Sequence, residues 1–187
     1  RLADLEEGLA QYGGRASTVR RAELELQAAY ACFGAGMQDR ALRWCNRLLS
    51  EKGIEAHTGL LAIGRMMNLA VLVELRKTEL LDYILRNTRR YLKQHGGVFA
   101  VENLLLDHVQ ALIKAKDSPS RYALWKHFAH AMATLCTDAR EAALLDHIDL
   151  LAWAQARADD KPFHELVKTK WLAQNRPGKA GGNKRAA

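Results

Sequence analysis

LQAAYACFGAGMQDRALRWCNRLLSEKG, residues 26–53, reads as an apolar helix, a short polar break, a second amphipathic helix and a glycine stop. RMMNLAVLVELRKTELLDYILRNTRRYLKQHGG, residues 65–97, repeats that order. A hairpin of this kind cannot bury its apolar side alone. Stacking one on the next does so, which is how helical solenoids are built. In the first helix Leu24, Leu26, Ala28, Ala29, Cys32 and Phe33 cover so much of the circumference that burial on most sides is expected. In its partner Ala41, Leu42, Trp44, Cys45, Leu48 and Leu49 form one face, with Gly34 and Gly36 in the turn and Gly53 at the end.

Working outward, residues 2–12 predict a leading helix stopped by Gly13-Gly14, and Ser17 or Thr18 caps the helix that runs to Phe33. Residues 58–75 are the most hydrophobic segment and so the expected centre. Gly59 and Gly64 there cost about 1 kcal/mol each in helix propensity, which makes sense where a neighbouring helix passes close. Thr78 is placed to cap the next helix, with Glu79 in its first turn, and Gly96-Gly97 to end it. A helix over 98–116 follows. Ser118-Pro119 then signals a start. Asp138 with Glu141 forms a capping-box pattern for one helix reaching Ala158, and Pro162 opens a last helix, Phe163 to Leu172. No stretch alternates with period two. The expectation is an all-α chain of eight or nine antiparallel helices without a sheet.

The spacing Ala31, Phe33, Gly36, Ala41-Leu42, Trp44, Leu48-Leu49 resembles a degenerate tetratricopeptide motif. Glu74-Leu75, a polar turn at 76–78, Leu80-Leu81, Tyr83-Ile84 and Tyr91-Leu92 follow it more loosely. Three stretches, ELRKTELLDYILRNTRRYLKQ, VENLLLDHVQALIK and LLDHIDLLAWAQARADDKPFHELVKTK, are similar to a group of bacterial tetratricopeptide-like proteins. The resemblance spans about residues 22–171. It implies a stacked α-α superhelix and no particular activity. The 34-residue repeat is not kept. Residues 1–172 are expected to form one repeat domain, in which 118–172 either continue the superhelix or fold back as a C-terminal cap.

The composition, 49% apolar and 26% charged, is that of a globular chain. Cys32, Cys45 and Cys136 are odd in number and lack paired spacing, which fits a reducing, cytoplasmic setting. Cys32 and Cys45 could face each other across the first hairpin, with inert packing the expectation. No apolar run approaches the roughly 18 residues of a membrane span. The chain opens on Arg1 rather than Met and reads as a trimmed piece, so a missing leader carries no weight. Of the net charge of +7, residues 173–187 supply +4 through Arg176, Lys179, Lys184 and Arg185; a basic, glycine-rich tail of this kind is expected to be disordered.

Patterns that could carry chemistry are weak. Gly34-Ala35-Gly36 lacks the lysine and the strand-to-helix context of a phosphate loop. His127 and His130 share a helical face without further metal ligands. Asp107-His108 and Asp146-His147 are sequence neighbours, which do not face each other on a helix, and Asp146 with Asp149 reads as a solvated pair. Trp44, Trp125, Trp153 and Trp171 read as packing anchors. The expectation is no enzyme, no cofactor and no metal.

The clearest signal is basic. Arg86, Arg89, Arg90 and Lys93 fall at i, i+3, i+4 and i+7, and Arg40, Arg43 and Arg47 make a similar stripe one hairpin earlier. If the hairpins stack, the stripes are expected to merge into one positive surface for a partner. The functional expectation is a non-catalytic scaffold for protein–protein interaction. Its groove would be lined by residues 18–33, 58–75 and 98–116. The alternative is polyanion or nucleic-acid binding through the basic surface and tail. Aromatics do not interleave with the basic residues, which argues against stacking of single-stranded bases.

Overall fold

The computed structural model describes residues 2–95, 99–145 and 147–174. Within them the chain is all-α, with no strand: α1 (Leu2–Tyr12), α2 (Thr18–Gly34), α3 (Gln38–Ser50), α4 (Thr58–Glu74), α5 (Thr78–Gln94), α6 (Ala100–Lys114), α7 (Ser118–Leu135), α8 (Ala139–Leu145), α9 (Leu150–Ala158) and α10 (Phe163–Gln174). Each helix from α1 to α6 packs on the next, and α4 also meets α2 and α6. The expected stops at Gly96-Gly97 and the basic tail after Gln174 lie outside the described residues.

The two quoted hairpins close with the same turn. In the first, Met37 N–H bonds back to Cys32 C=O and Gly36 N–H to Phe33 C=O. In the second, Lys77 N–H bonds to Leu72 C=O and Arg76 N–H to Val73 C=O. These are Schellman pairs, which satisfy the orphan carbonyls of a helix end and require a left-handed residue. Glycine supplies it at Gly36 (φ 74°); in the second hairpin Arg76 adopts it at φ 54°.

Helix α4 is the centre of the molecule. From Leu61 to Val73 every residue but Arg65 is buried. The close approach expected at its glycines exists at Gly64, where an added Cβ would stand 2.6 Å from the Leu48 Cδ2 of α3, and not at Gly59, which faces open space. Ser17 caps α2 by accepting from Arg20 N–H. Elsewhere the cap shifts: Asp117, not Ser118, caps α7, with Pro119 in the first turn, and Thr78 does not act as a cap.

The single helix expected over 138–158 is two. Asp149 accepts from Ala152 N–H at 2.8 Å and starts α9 afresh. Asp138 does cap α8, accepting from Arg140 N–H at 2.7 Å. Glu141, however, does not close a capping box. It reaches across to the N–H groups of Ala100 (2.9 Å) and Val101 (3.0 Å), so it caps α6 from forty residues away. Ten α-helices result among the described residues, in keeping with the about eight or nine expected.

α7 packs on α6 as the next helix in order, and beyond it the chain turns back. α9 packs along α7, and α10 packs on α9 and reaches α2. A continuous aromatic run holds this return. His108 stacks on Phe128 at 4.1 Å, Trp125 meets Trp153 at 4.9 Å, Trp153 meets Phe33 at 5.9 Å and Phe33 meets Phe163 at 5.3 Å. Such ring pairs add about 0.5–1.5 kcal/mol each beyond the area they bury. At the end of α4, Glu74 accepts from Trp153 Nε1 at 2.7 Å and from Arg157 Nε at 2.7 Å, with a second Arg157 nitrogen also in contact.

Candidate functional site

The fold leaves one side of α2 and the start of α4 uncovered, and a cleft of about 870 Å³ lies between them. Its apolar wall is built by Val19 and Leu26 of α2 with Leu60 and Ile63 of α4. These positions follow from helical period: Val19 and Leu26 are seven apart, Leu60 and Ile63 three apart, so each pair shares a face. Polar groups sit along the rim. Gln27 and Tyr30 come from α2, His57 and Thr58 from the N-terminus of α4, and His147 from the turn before α9.

One hydrogen bond ties the cleft to the far end of the chain. The Tyr30 hydroxyl accepts from Asp149 N–H at 3.3 Å, tying α2 to the start of α9, and burial pushes its pKa up. Glu23, also at the rim, pairs with Arg20 at 3.0 Å. Both partners are well exposed, so this pair contributes little to stability.

The groove is shorter than the sequence suggested. α2 and α4 line it as expected, but no residue of α6 borders it. The C-terminal half of α4 is buried all round, and the end of α2 is covered by Trp153 of α9 and Phe163 of α10.

The two basic stripes exist, but most of their charge is partnered. Arg40 pairs with Glu6 of α1, Arg47 with Glu25 of α2 (3.2 Å), Arg86 with Asp82 (3.0 Å) and Arg89 with Asp107 of α6 (2.9 Å). Arg90 donates to the side-chain oxygen of Asn87 at 2.9 Å. Among the described residues, Arg43 and Lys93 make no ion pair and are exposed. The helices that carry the stripes, α3 and α5, each pack on α4 and not extensively on one another. The merging of the stripes into one surface therefore does not follow from the packing.

The other sequence candidates are dispersed. His127 and His130 are exposed on α7, and among the described residues no group of three metal-ligating side chains converges. Asp107 is engaged with Arg89, Asp149 with the α9 N-terminus and with Lys170 at 2.9 Å, and Asp146 lies outside the described residues. Trp44, Trp125 and Trp153 are buried as anchors; the side chain of Trp171 lies outside the description. Cys32 and Cys45 are both buried as free thiols, and burial pushes Cys45 up to about 12, which makes it a poor nucleophile.

Three ionisable side chains are buried, of which the sequence offered only His108 as a candidate, and then as the neighbour of Asp107. Glu25 is 1% exposed, and its carboxyl pKa is raised by burial against the opposing pull of Arg47. Glu102 is 3% exposed and raised for the same first reason. His108 is 6% exposed, and burial takes it down to about 3. Each has a buried side-chain atom without a hydrogen-bond partner. The available signal was positional: Glu25 lies within the stripe of Ala22, Leu26 and Ala29, and His108 within that of Leu105, Val109 and Leu112. No protein-family model, curated protein or solved structure matches the chain.

Proposed function

We infer that this chain is a non-catalytic helical-repeat scaffold that binds a segment of another protein in the cleft between α2 and α4. The observation that carries this reading is the cleft itself. It is open, apolar-walled and rimmed by side-chain donors and acceptors, and it lies on helices held rigidly by the core. The α2 face from Val19 to Ala31 is about 18 Å long at 1.5 Å per residue, room for roughly three turns of helix or five to six extended residues. The resemblance to bacterial tetratricopeptide-like proteins implies no particular activity; it bears only on the stacked helical architecture and on a bacterial setting. The free thiols agree with a reducing, cytoplasmic setting, and no helix among the described residues is long and apolar enough to cross a membrane. Affinity purification with the wild-type chain and with Leu60→Arg tests the reading. A discrete protein retained by the first and lost by the second, with both equally folded, supports it. Retention indifferent to Leu60→Arg contradicts it.

A second reading, binding of a polyanion, draws support from the exposed Arg43, Arg90 and Lys93. It requires that affinity fall steeply with salt and that Arg86→Glu with Arg90→Glu abolish it.

A further inference from the structure

α10 packs on α9 and on the end of α2 through a single stripe. Phe163, Leu166, Val167 and Lys170, at i, i+3, i+4 and i+7, are its partly covered side chains, while His164, Glu165, Lys168 and Thr169 are exposed. This is the anchor spacing of an amphipathic helix laid in a groove. Phe163 is the anchor at one end. Its ring lies 5.3 Å from that of Phe33 and 6.4 Å from that of Tyr30, and a Cβ added at Gly34 would stand 3.9 Å from it. Lys170 closes the other end on Asp149 at 2.9 Å. None of the described α10 side chains is buried, whereas α9 buries Trp153 and four alanines. The chain enters α10 through Asp160, held at φ 53°, and Pro162.

The hollow between α2 and α10, about 380 Å³, shares Tyr30 and Ala31 with the α2–α4 cleft. Phe163 sits at the C-terminal end of α2 while Val167 and Lys168 border Tyr30 and Ala31, so α10 runs antiparallel to α2 toward the open cleft.

We propose that α10 is an in-chain ligand of a recognition groove that runs the length of α2, and that the external occupant of this groove is an amphipathic helix bearing the same aromatic, aliphatic, aliphatic, basic stripe. The proposal rests on reading the α2–α4 cleft as a protein-binding site and names its partner's chemistry. Only partly covered side chains and one partly exposed ion pair hold α10 on α9 and α2, so it is the element that opens before the core. Undocking it joins the two hollows into one continuous groove.

The test uses the full chain and a fluorescent peptide of residues 162–174, PFHELVKTKWLAQ. The chain carrying Phe163→Ala is expected to bind the peptide, and the wild type to bind it roughly tenfold or more weakly, because the tethered α10 competes at high effective concentration. Adding Ala31→Glu to Phe163→Ala is expected to remove binding. In wild type, α10 amides should exchange with solvent about a hundredfold faster than those of α4, and Phe163→Ala should speed them roughly another tenfold without altering α4. Lys170→Glu, which reverses the ion pair with Asp149, provides a second release variant with the same expectations should Phe163→Ala not fold. Failure of the released chain to bind the peptide overturns the proposal, as does loss of protection in α10 and α4 together. Either result, alongside partner capture that still depends on Leu60, sinks the α10 proposal and leaves the cleft reading standing.

Discussion

Burying a histidine without a partner makes the fold sensitive to acid, and His108 supplies a measurable case. It is stacked face to face on Phe128 at 4.1 Å, with the edge of Trp125 at 4.4 Å and Nε2 unpartnered. Burial is the first cause that lowers it to about 3, and the nearby charges of His127 and Arg121 act in the same direction. Its folded value thus lies below the ordinary value of about 6.5, and between the two the unfolded chain binds more protons. The stability tied to neutral His108 is complete above about pH 6.5 and falls by about 1.4 kcal/mol for each unit below it, so moving from pH 7.5 to pH 5 costs about 2 kcal/mol. Glu25 and Glu102, both raised by burial, push the other way as pH falls. Glu51, lowered by its hydrogen bond with Arg21, and Asp117, lowered by Ser120 N–H, act in the same sense as the histidine. These contributions are common to wild type and variant and cancel on subtraction. Urea unfolding followed by circular dichroism at pH 7.5 and pH 5, on wild type, His108→Phe and His108→Leu, isolates the histidine. Both variants should lose about 2 kcal/mol less than wild type over that interval. A difference under about 0.5 kcal/mol would refute the reasoning, because it would mean that His108 keeps an ordinary proton affinity in the folded state.

Gly64→Ala and Gly59→Ala should change stability in opposite directions: the first forces Leu48 aside, with a net loss of about 1 kcal/mol, and the second gains a few tenths or more in open space. Thermal melts of the pair check this, and a gain at Gly64 would contradict the close helix approach. Arg76→Gly should stabilise by about 1 kcal/mol, since glycine carries no penalty at φ 54°; a loss would mean that the arginine side chain contributes there. Glu74→Ala should cost about 2–3 kcal/mol by stranding the Trp153 indole N–H and the Arg157 guanidinium. A double-mutant cycle with Arg157→Met should show coupling, and strict additivity would count against the Glu74–Arg157 contact.

The helices were legible because they are local, and their caps only in part, since Thr78 does not cap α5 and Asp117 takes the place expected of Ser118. Ser17, Gly36 and Pro119 act within a few residues of where they stand, and the apolar face of α4 is written in its own period. The break between α8 and α9 was not, because the stretch around it is apolar on both sides and the cap that restarts the helix, Asp149, is one residue type among several nearby candidates. The fold-back of α9 and α10 has no local signature at all. It is decided by Phe33 with Trp153 and by Tyr30 with Asp149, contacts more than a hundred residues apart. The arginine stripes illustrate both sides. Their spacing is local and was read, while the acids that partner Arg40, Arg47 and Arg89 arrive from α1, α2 and α6. The cleft was legible as a groove on the first helices of the hairpins. Its length was not, because the covering elements come from the far end of the chain.

The central claim is that recognition happens on the inner face between α2 and α4. A photoreactive amino acid placed at the exposed Gln27 in that cleft, and separately at Lys93 on the basic stripe of α5, tests it in the native cell. The account predicts a discrete crosslinked protein from Gln27 that disappears when Leu60→Arg is added. Crosslinks from Lys93 alone, or a Gln27 product indifferent to Leu60→Arg, would contradict it.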